Sequence, residues 1–364
     1  MNNSLTNRQI AFIVYCTIVG FGIVNIPRDA ADVGETGGWV SLVILTIIFI
    51  LNTYLITYIA YVSGEKDLYE YCEMLIGKFF SYVFLIIYAI FFFIPFTMIT
   101  RIYSETVRIT ILPKTPSWTM ALFFFIVVYY ALKKGLNVIA RVCEIYGFIN
   151  IIGNIFMGII LFTQGKSINL RPAFVKEDIL RYIIGAPKLL FAFLGVELIL
   201  FIPLNKKNNK NVFKYTTAII GLIGILYILV SEAVIAVVGV DAVMLYKASL
   251  FNVVRGVDVK YLEIFRRLDG IYVIIWTFNI FCSVSLWGYG VIKCVNKVFK
   301  NSQNANKAIY ITILAFIVSQ IPGSTNDVEN ILKYNGYLGY ITAFIIPTIL
   351  LIITKVRKYD KKAL

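Results

Sequence analysis

The chain has 364 residues, of which 59% are hydrophobic and 15% charged, with a mean hydropathy of +0.81. A soluble domain carries roughly 25% charged residues, so these figures exclude a soluble globular protein and point to a polytopic membrane protein. The formal charge of +14 is the positive-inside bias of such proteins, not a nucleic-acid-binding surface.

Hydrophobic runs lie at about 10–26, 39–62, 79–99, 118–132 and 145–162, and again at about 186–204, 216–240, 270–291, 308–321 and 336–354. Most reach the ~17–25 residues that a helix needs to cross the hydrocarbon core. The first run contains Gly20-Phe21-Gly22 and ends at Pro27; the sixth opens at Pro187, contains Gly195-Val196-Glu197 and closes at Pro203. The fourth and ninth are short. Shared irregularities at positions one and four of each half predict an all-α polytopic membrane protein. Its ten transmembrane helices form a five-plus-five inverted repeat in which helices 1 and 6 are discontinuous. The chain is expected to form one transmembrane domain over 1–364, with repeats at about 8–165 and 180–355. Arg8 precedes the first run, but no small-residue cleavage site follows, so no signal peptide is expected.

With ten spans the termini share a side. Nineteen of the 34 basic residues fall on that side, five fall in the short opposite segments, and ten in two longer loops left uncounted. That asymmetry places both termini in the cytoplasm. The loops at 64–78 and 241–269 interleave charges with apolar residues and are expected to form interfacial helices, one on each side.

A helix interrupted inside lipid frees backbone groups that lipid cannot satisfy, so the break must be covered by protein or line a cavity. Gly20 and Gly22 face different directions, which suits unwinding, although close helix packing through small residues is the bland alternative. Two unwound centres would offer N–H groups to a carboxylate and carbonyls to an ammonium, the arrangement that suits a zwitterion. The expected ligand-binding set is therefore Gly20, Phe21, Gly22, Ile23, Phe193, Leu194, Gly195 and Glu197, with Ser283 and Trp287 from the eighth run. Glu197, an acid at mid-span, has two readings: a proton-linked or ammonium-pairing group, or a cap for its own break. Glu232 raises a weaker form of the same question, and Glu144 beside Arg141 reads as an ion pair. Thr97, Thr100 and Ser285 are pocket candidates that could equally bond their own backbone. Trp287 and Tyr289 could instead belong to an interfacial aromatic belt.

Histidine is absent, and Cys16, Cys72, Cys143, Cys282 and Cys294 show no Cys-x-x-Cys spacing. The cysteines read as scattered packing residues, and no metal site and no cofactor are expected. No catalytic motif is present, so the chain is not expected to be an enzyme.

Several segments resemble a known family. They are Leu5-Thr6-Asn7-Arg8-Gln9, Gly20-Phe21-Gly22-Ile23, Ile26-Pro27-Arg28, Gly38-Trp39-Val40-Ser41, Lys134 to Arg141 followed by Glu144-Ile145, Phe193-Leu194-Gly195-Val196-Glu197, and Arg267-Leu268-Asp269 with Trp276. In order and spacing these resemble the membrane-permease B subunits of GerA-type spore germinant receptors, themselves similar to amino acid/polyamine/organocation transporters. Val196 departs from that pattern, which has an aromatic residue there. The resemblance implies a germinant-sensing subunit in the spore inner membrane that binds a small molecule, an amino acid being the expected class. It also implies A and C subunits of the receptor as partners. An ion-coupled amino-acid permease is the alternative.

Overall fold

The computed structural model of the chain describes residues 5–246, 248–256, 268–298 and 304–359. No strand occurs among the described residues. Helix α1 (Asn7–Gly34) is followed by α2 (Gly38–Ser63), α3 (Leu68–Ile76), α4 (Lys78–Thr110), α5 (Ser117–Lys134) and α6 (Leu136–Gln164). The second half begins with α7 (Ile179–Gly185) and two 3₁₀ segments, Ala186–Phe193 and Val196–Phe201. It continues through α8 (Val212–Val238), α9 (Val240–Leu245), α10 (Ser249–Arg255), α11 (Leu268–Val298), α12 (Asn304–Ser319), α13 (Thr325–Gly339) and α14 (Ile346–Val356). A π turn, Tyr340–Ile345, joins the last two. Each hydrophobic run falls mainly on these elements, the sixth on the two 3₁₀ segments and the tenth across α13, the π turn and α14. Among the described residues seven stretches are long and apolar enough to cross a membrane, the first of them running through both α1 and α2.

The Thr6-x-x-Gln9 pattern starts α1. Thr6 Oγ1 accepts from the Gln9 amide at 3.2 Å, and Gln9 Oε1 accepts from the Thr6 amide at 3.1 Å, a reciprocal cap for two orphan donors. From Ile10 onward α1 is buried on almost all sides, packed by α2, α6, α8 and α11. It is the axis of the molecule. The stretch from Ile10 to Val24, apolar on all sides but for Thr17, demands such a position.

The expected break in the first span is not there: α1 stays wound through Gly20, Gly22 and Pro27. The glycines serve close approach instead. A Cβ on Gly20 would overlap Ser283, and one on Gly22 would overlap the Tyr227 hydroxyl. Carbonyls on this stretch still accept second hydrogen bonds from outside the helix. Ser283 donates to Thr17 (3.2 Å), Tyr227 to Ile18 (3.3 Å) and the Trp276 indole to Gly20 (2.9 Å). A carbonyl has two lone pairs, so the helix needs no unwinding to be tapped in this way.

The sixth span is broken, as expected. Its two 3₁₀ segments meet at Leu194 and Gly195, where Gly195 has φ +131°, a conformation that glycine alone adopts without strain. The other irregularities match between the halves. The fourth and ninth spans are α5 (18 residues) and α12 (16 residues). Short helices follow the second and seventh spans, α3 in one case and α9 with α10 in the other. Helix α3 buries Leu68, Tyr71, Cys72 and Leu75, and Tyr71 shares a 2.7 Å hydrogen bond with Thr354. Helix α10 docks on α1, with Ser249 donating to the Val24 carbonyl. Arg267, Leu262, Ile264 and Phe265 lie outside the described residues, as do the side chains of Leu268 and Asp269.

Candidate functional site

Five elements meet around a small cavity. Helix α1 contributes Thr17, Ile18, Phe21 and Gly22, and α4 contributes Phe91, Pro95 and Ile99. Phe191 and Leu194 come from the sixth span, Trp287 from α11 and Asn335 from α13. Pro95 sits within α4, and Leu194 is the last residue before the Gly195 break, so irregular backbone flanks the hollow on two sides.

The walls are almost wholly apolar, and no charged side chain lines them. Two polar atoms are exceptions. The Trp287 indole meets Phe91 edge-on and Phe92 at a tilt (centroids 5.7 and 5.8 Å), and its Nε1–H has no hydrogen-bond partner. Asn335 donates from Nδ2 to the Phe91 carbonyl at 3.3 Å, while its Oδ1 has none. A buried polar atom left unpaired costs ~1–3 kcal/mol. Two residues of the lining thus carry one idle donor and one idle acceptor in an aromatic and aliphatic setting.

Of the expected ligand-binding residues, Phe21, Gly22, Leu194 and Trp287 line this cavity. The others stand behind it. Gly20 abuts Ser283, whose hydroxyl donates to Thr17. Ile23 is fully buried, and Phe193 packs between Phe49 and Tyr227 (centroids 5.3 and 5.2 Å). Gly195 faces the Thr17 side chain.

Glu197 is fully buried, and its Oε2 accepts from the Gly195 amide at 2.6 Å. Of its two readings the geometry shows the cap; Oε1 has no partner. The zwitterion cradle expected from two broken helices is therefore not formed. Continuous α1 has no half-helix ends, and the amide at the break in the sixth span is taken by the chain's own carboxylate. Glu232 on α8 likewise has an unpartnered Oε1 and does not line the cavity.

Other expectations sort by contact. Thr97 and Thr100 donate to carbonyls three and four residues back, the self-bonding alternative. Ser285 Oγ is buried without a partner. Glu144 pairs with Arg8 at 2.9 Å, not with Arg141, because α6 lies against α1. Trp287 and Tyr289 are buried, which rules out an interfacial belt for either, and Tyr289 donates to the Phe201 carbonyl. Cys16, Cys143 and Cys282 are not scattered: α1, α6 and α11 bring their sulfurs within 4.8 Å of one another.

The sequence reading missed Thr17, Ile18, Phe91, Ile99, Phe191 and Asn335 as cavity residues. Asn335 alone carried a signal. It is an amide immediately before the last apolar run, and it falls inside a helix because α13 begins at Thr325, under a Ser324–Asp327 capping box. Thr17 is a threonine that bonds its own helix, donating to the Ile13 carbonyl at 2.7 Å, and the others are apolar residues in apolar spans, indistinguishable from packing.

The family described as spore germination protein matches residues 4–328 of the chain. Among curated relatives, spore germination protein YndE of Bacillus subtilis (strain 168) is 23% identical over 99% of both chains. Spore germination protein A2 of the same organism is 27% identical, over 95% of this chain and 94% of its own. Among solved structures, MhsT in complex with L-phenylalanine superposes with a TM-score of 0.65 at 15% identity, covering 94% of this chain and 97% of MhsT. A Na⁺-coupled sialic acid symporter gives 0.62 at 13% identity, covering 98% of this chain and 75% of its own. At such identities the likeness is one of fold.

Proposed function

The chain belongs to the spore germination protein family and is an integral membrane protein with the fold of these transporters, and from that premise we propose that it is the germinant-sensing subunit of a spore germinant receptor. Its ligand is a small molecule, of the amino-acid class, held between α1 and the Leu194–Gly195 break. It acts with A and C subunits of the receptor in the spore inner membrane, with both termini on the core side. The observation that carries this reading is the cavity itself, an apolar pocket with an idle donor at Trp287 and an idle acceptor at Asn335. A body of zero net charge with an apolar side chain, bearing both a hydrogen-bond acceptor and a donor, suits it. An apolar amino acid, a zwitterion whose carboxylate accepts and whose ammonium donates, meets those terms, and MhsT, of the same fold, was solved with L-phenylalanine.

The cavity is small, so binding requires its walls to part. A ligand favours the parted state only to the extent that it binds that state better, and this difference is what would reach a neighbouring subunit. The test is thermal stabilisation of the purified chain by a panel of amino acids, with vesicle uptake run in parallel. The reading expects stabilisation by apolar amino acids that weakens in Trp287→Phe and Asn335→Leu, with no sustained accumulation. Accumulation driven by an ion gradient would make the chain a working permease, and no stabilisation by any germinant would remove the ligand site.

A further inference from the structure

Three of the five cysteines meet in one place. Cys16 on α1, Cys143 on α6 and Cys282 on α11 are separated by well over a hundred residues in sequence, yet their sulfurs all lie within 4.8 Å of one another. All three are wholly buried and none is in a disulfide. The Cys16 thiol donates a weak hydrogen bond to the Cys143 carbonyl at 3.6 Å. A free cysteine in a core is ordinarily a small hydrophobe. Three converging thiols from three helices form instead a set of soft donors around one point.

We infer that Cys16, Cys143 and Cys282 form a binding site for a soft monovalent cation of the cuprous type. Thiol sulfurs select soft ions. A zinc ion takes four ligands in a structural site; the chain has no histidine, and no fourth Cys, Asp or Glu joins the cluster among the described residues. Three sulfurs suit trigonal coordination. A metal about 2.3 Å from each sulfur sets them about 4 Å apart, which is a contraction of less than one ångström from the widest spacing here. Charge points the same way, because a net charge buried within the hydrocarbon region is costly. One Cu(I) bound by one thiolate and two neutral thiols carries no net charge. In that step one S–H bond breaks, its proton leaves to solvent, three Cu–S bonds form, and no electron is transferred.

The site ties the axis of the molecule to two of its neighbours. Cys16 directly precedes Thr17 of the cavity wall, and α11 also carries Trp287, so an occupied site would clamp α1 against α6 and α11.

The experiment is an anaerobic titration of the purified full chain with Cu(I) against a chromogenic chelator, followed by X-ray absorption at the copper edge. One Cu(I) per chain with an all-sulfur shell is expected. Cys16→Ser, Cys143→Ser and Cys282→Ser should each weaken binding by at least about tenfold, the lower end of what even outer-shell changes cost a metal site. Cys72→Ser and Cys294→Ser should leave it unchanged. The site is overturned if the wild-type chain holds no stoichiometric copper, or if the two control substitutions weaken binding as much as the three. Melting of each variant in copper-free buffer checks folding. Should a serine variant fail to fold, the wild-type absorption edge decides, and oxygen or nitrogen neighbours in place of sulfur would refute the assignment.

Discussion

Gly195 and Glu197 work as a pair. Glycine allows the turn at φ +131°, and the carboxylate two residues on satisfies the amide that the turn leaves without a helical partner. Gly195→Ala would place a side chain in that strained region, at ~1–3 kcal/mol, and against Thr17 as well. A clear fall in melting temperature of the detergent-solubilised protein is expected. For Glu197 two substitutions separate capping from proton chemistry. Glu197→Gln keeps an oxygen acceptor for the Gly195 amide and should melt close to wild type. Glu197→Ala leaves a buried N–H unpaired, at ~1–3 kcal/mol, and should melt lower. Equal melting of the two would show that the cap contributes nothing.

At the scale of elements, α1 is wound but heavily addressed from outside. Donors from α8 and α11 reach three of its carbonyls within four residues. The same two helices approach where Gly20 and Gly22 leave room. These contacts hold α1 in two ways, through its own ladder and through its neighbours' side chains. Trp276→Phe keeps the ring packed against Tyr103 and Phe251 and removes only the donor to Gly20. Amide exchange around 18–24 should then change, while exchange at the N-terminal end of α1 stays as it was. A second contact lies at the far end of α11, where Lys297 reaches Asp67 (2.9 Å) and Glu70 (2.6 Å) beside α3. Because these groups are part-exposed, the link is worth at most ~1 kcal/mol, and Lys297→Met should change the melting temperature little.

For the molecule as a whole, the charge asymmetry and the paired irregularities make one topological prediction. Single cysteines introduced near Asn7 and Arg357 should both be labelled by an impermeant reagent from the cytoplasmic face only. Labelling of the two from opposite faces would break the even number of crossings, and labelling of both from outside would invert the assignment. The fold places apolar surface outward, with Phe123, Ile126 and Ile152 exposed, as a lipid solvent allows. Inside, α1, α6 and α11 share a hydrogen-bonded polar network. Tyr15 and Asn154 both donate to Asn150 Oδ1 at 2.8 Å, and Tyr272 donates to Asn154 at 2.7 Å.

Run length, charge placement and Gly/Pro punctuation act over a few neighbouring residues. On their own they determined the spans, the all-α class and the break at Gly195. Phe21, Gly22, Leu194 and Trp287 of the cavity were legible for the same reason, each lying at or near such punctuation. Local pattern could not say whether Gly20 and Gly22 loosen α1 or let another helix approach, because the two uses call for the same residue. Only the positions of Ser283 and Tyr227, far along the chain, decided that in favour of approach. The cavity's aromatic wall, the role of Asn335 and the meeting of three cysteines were likewise settled by tertiary packing. In a membrane span nearly every side chain is apolar, so composition does not distinguish the residues that face lipid from those that face one another.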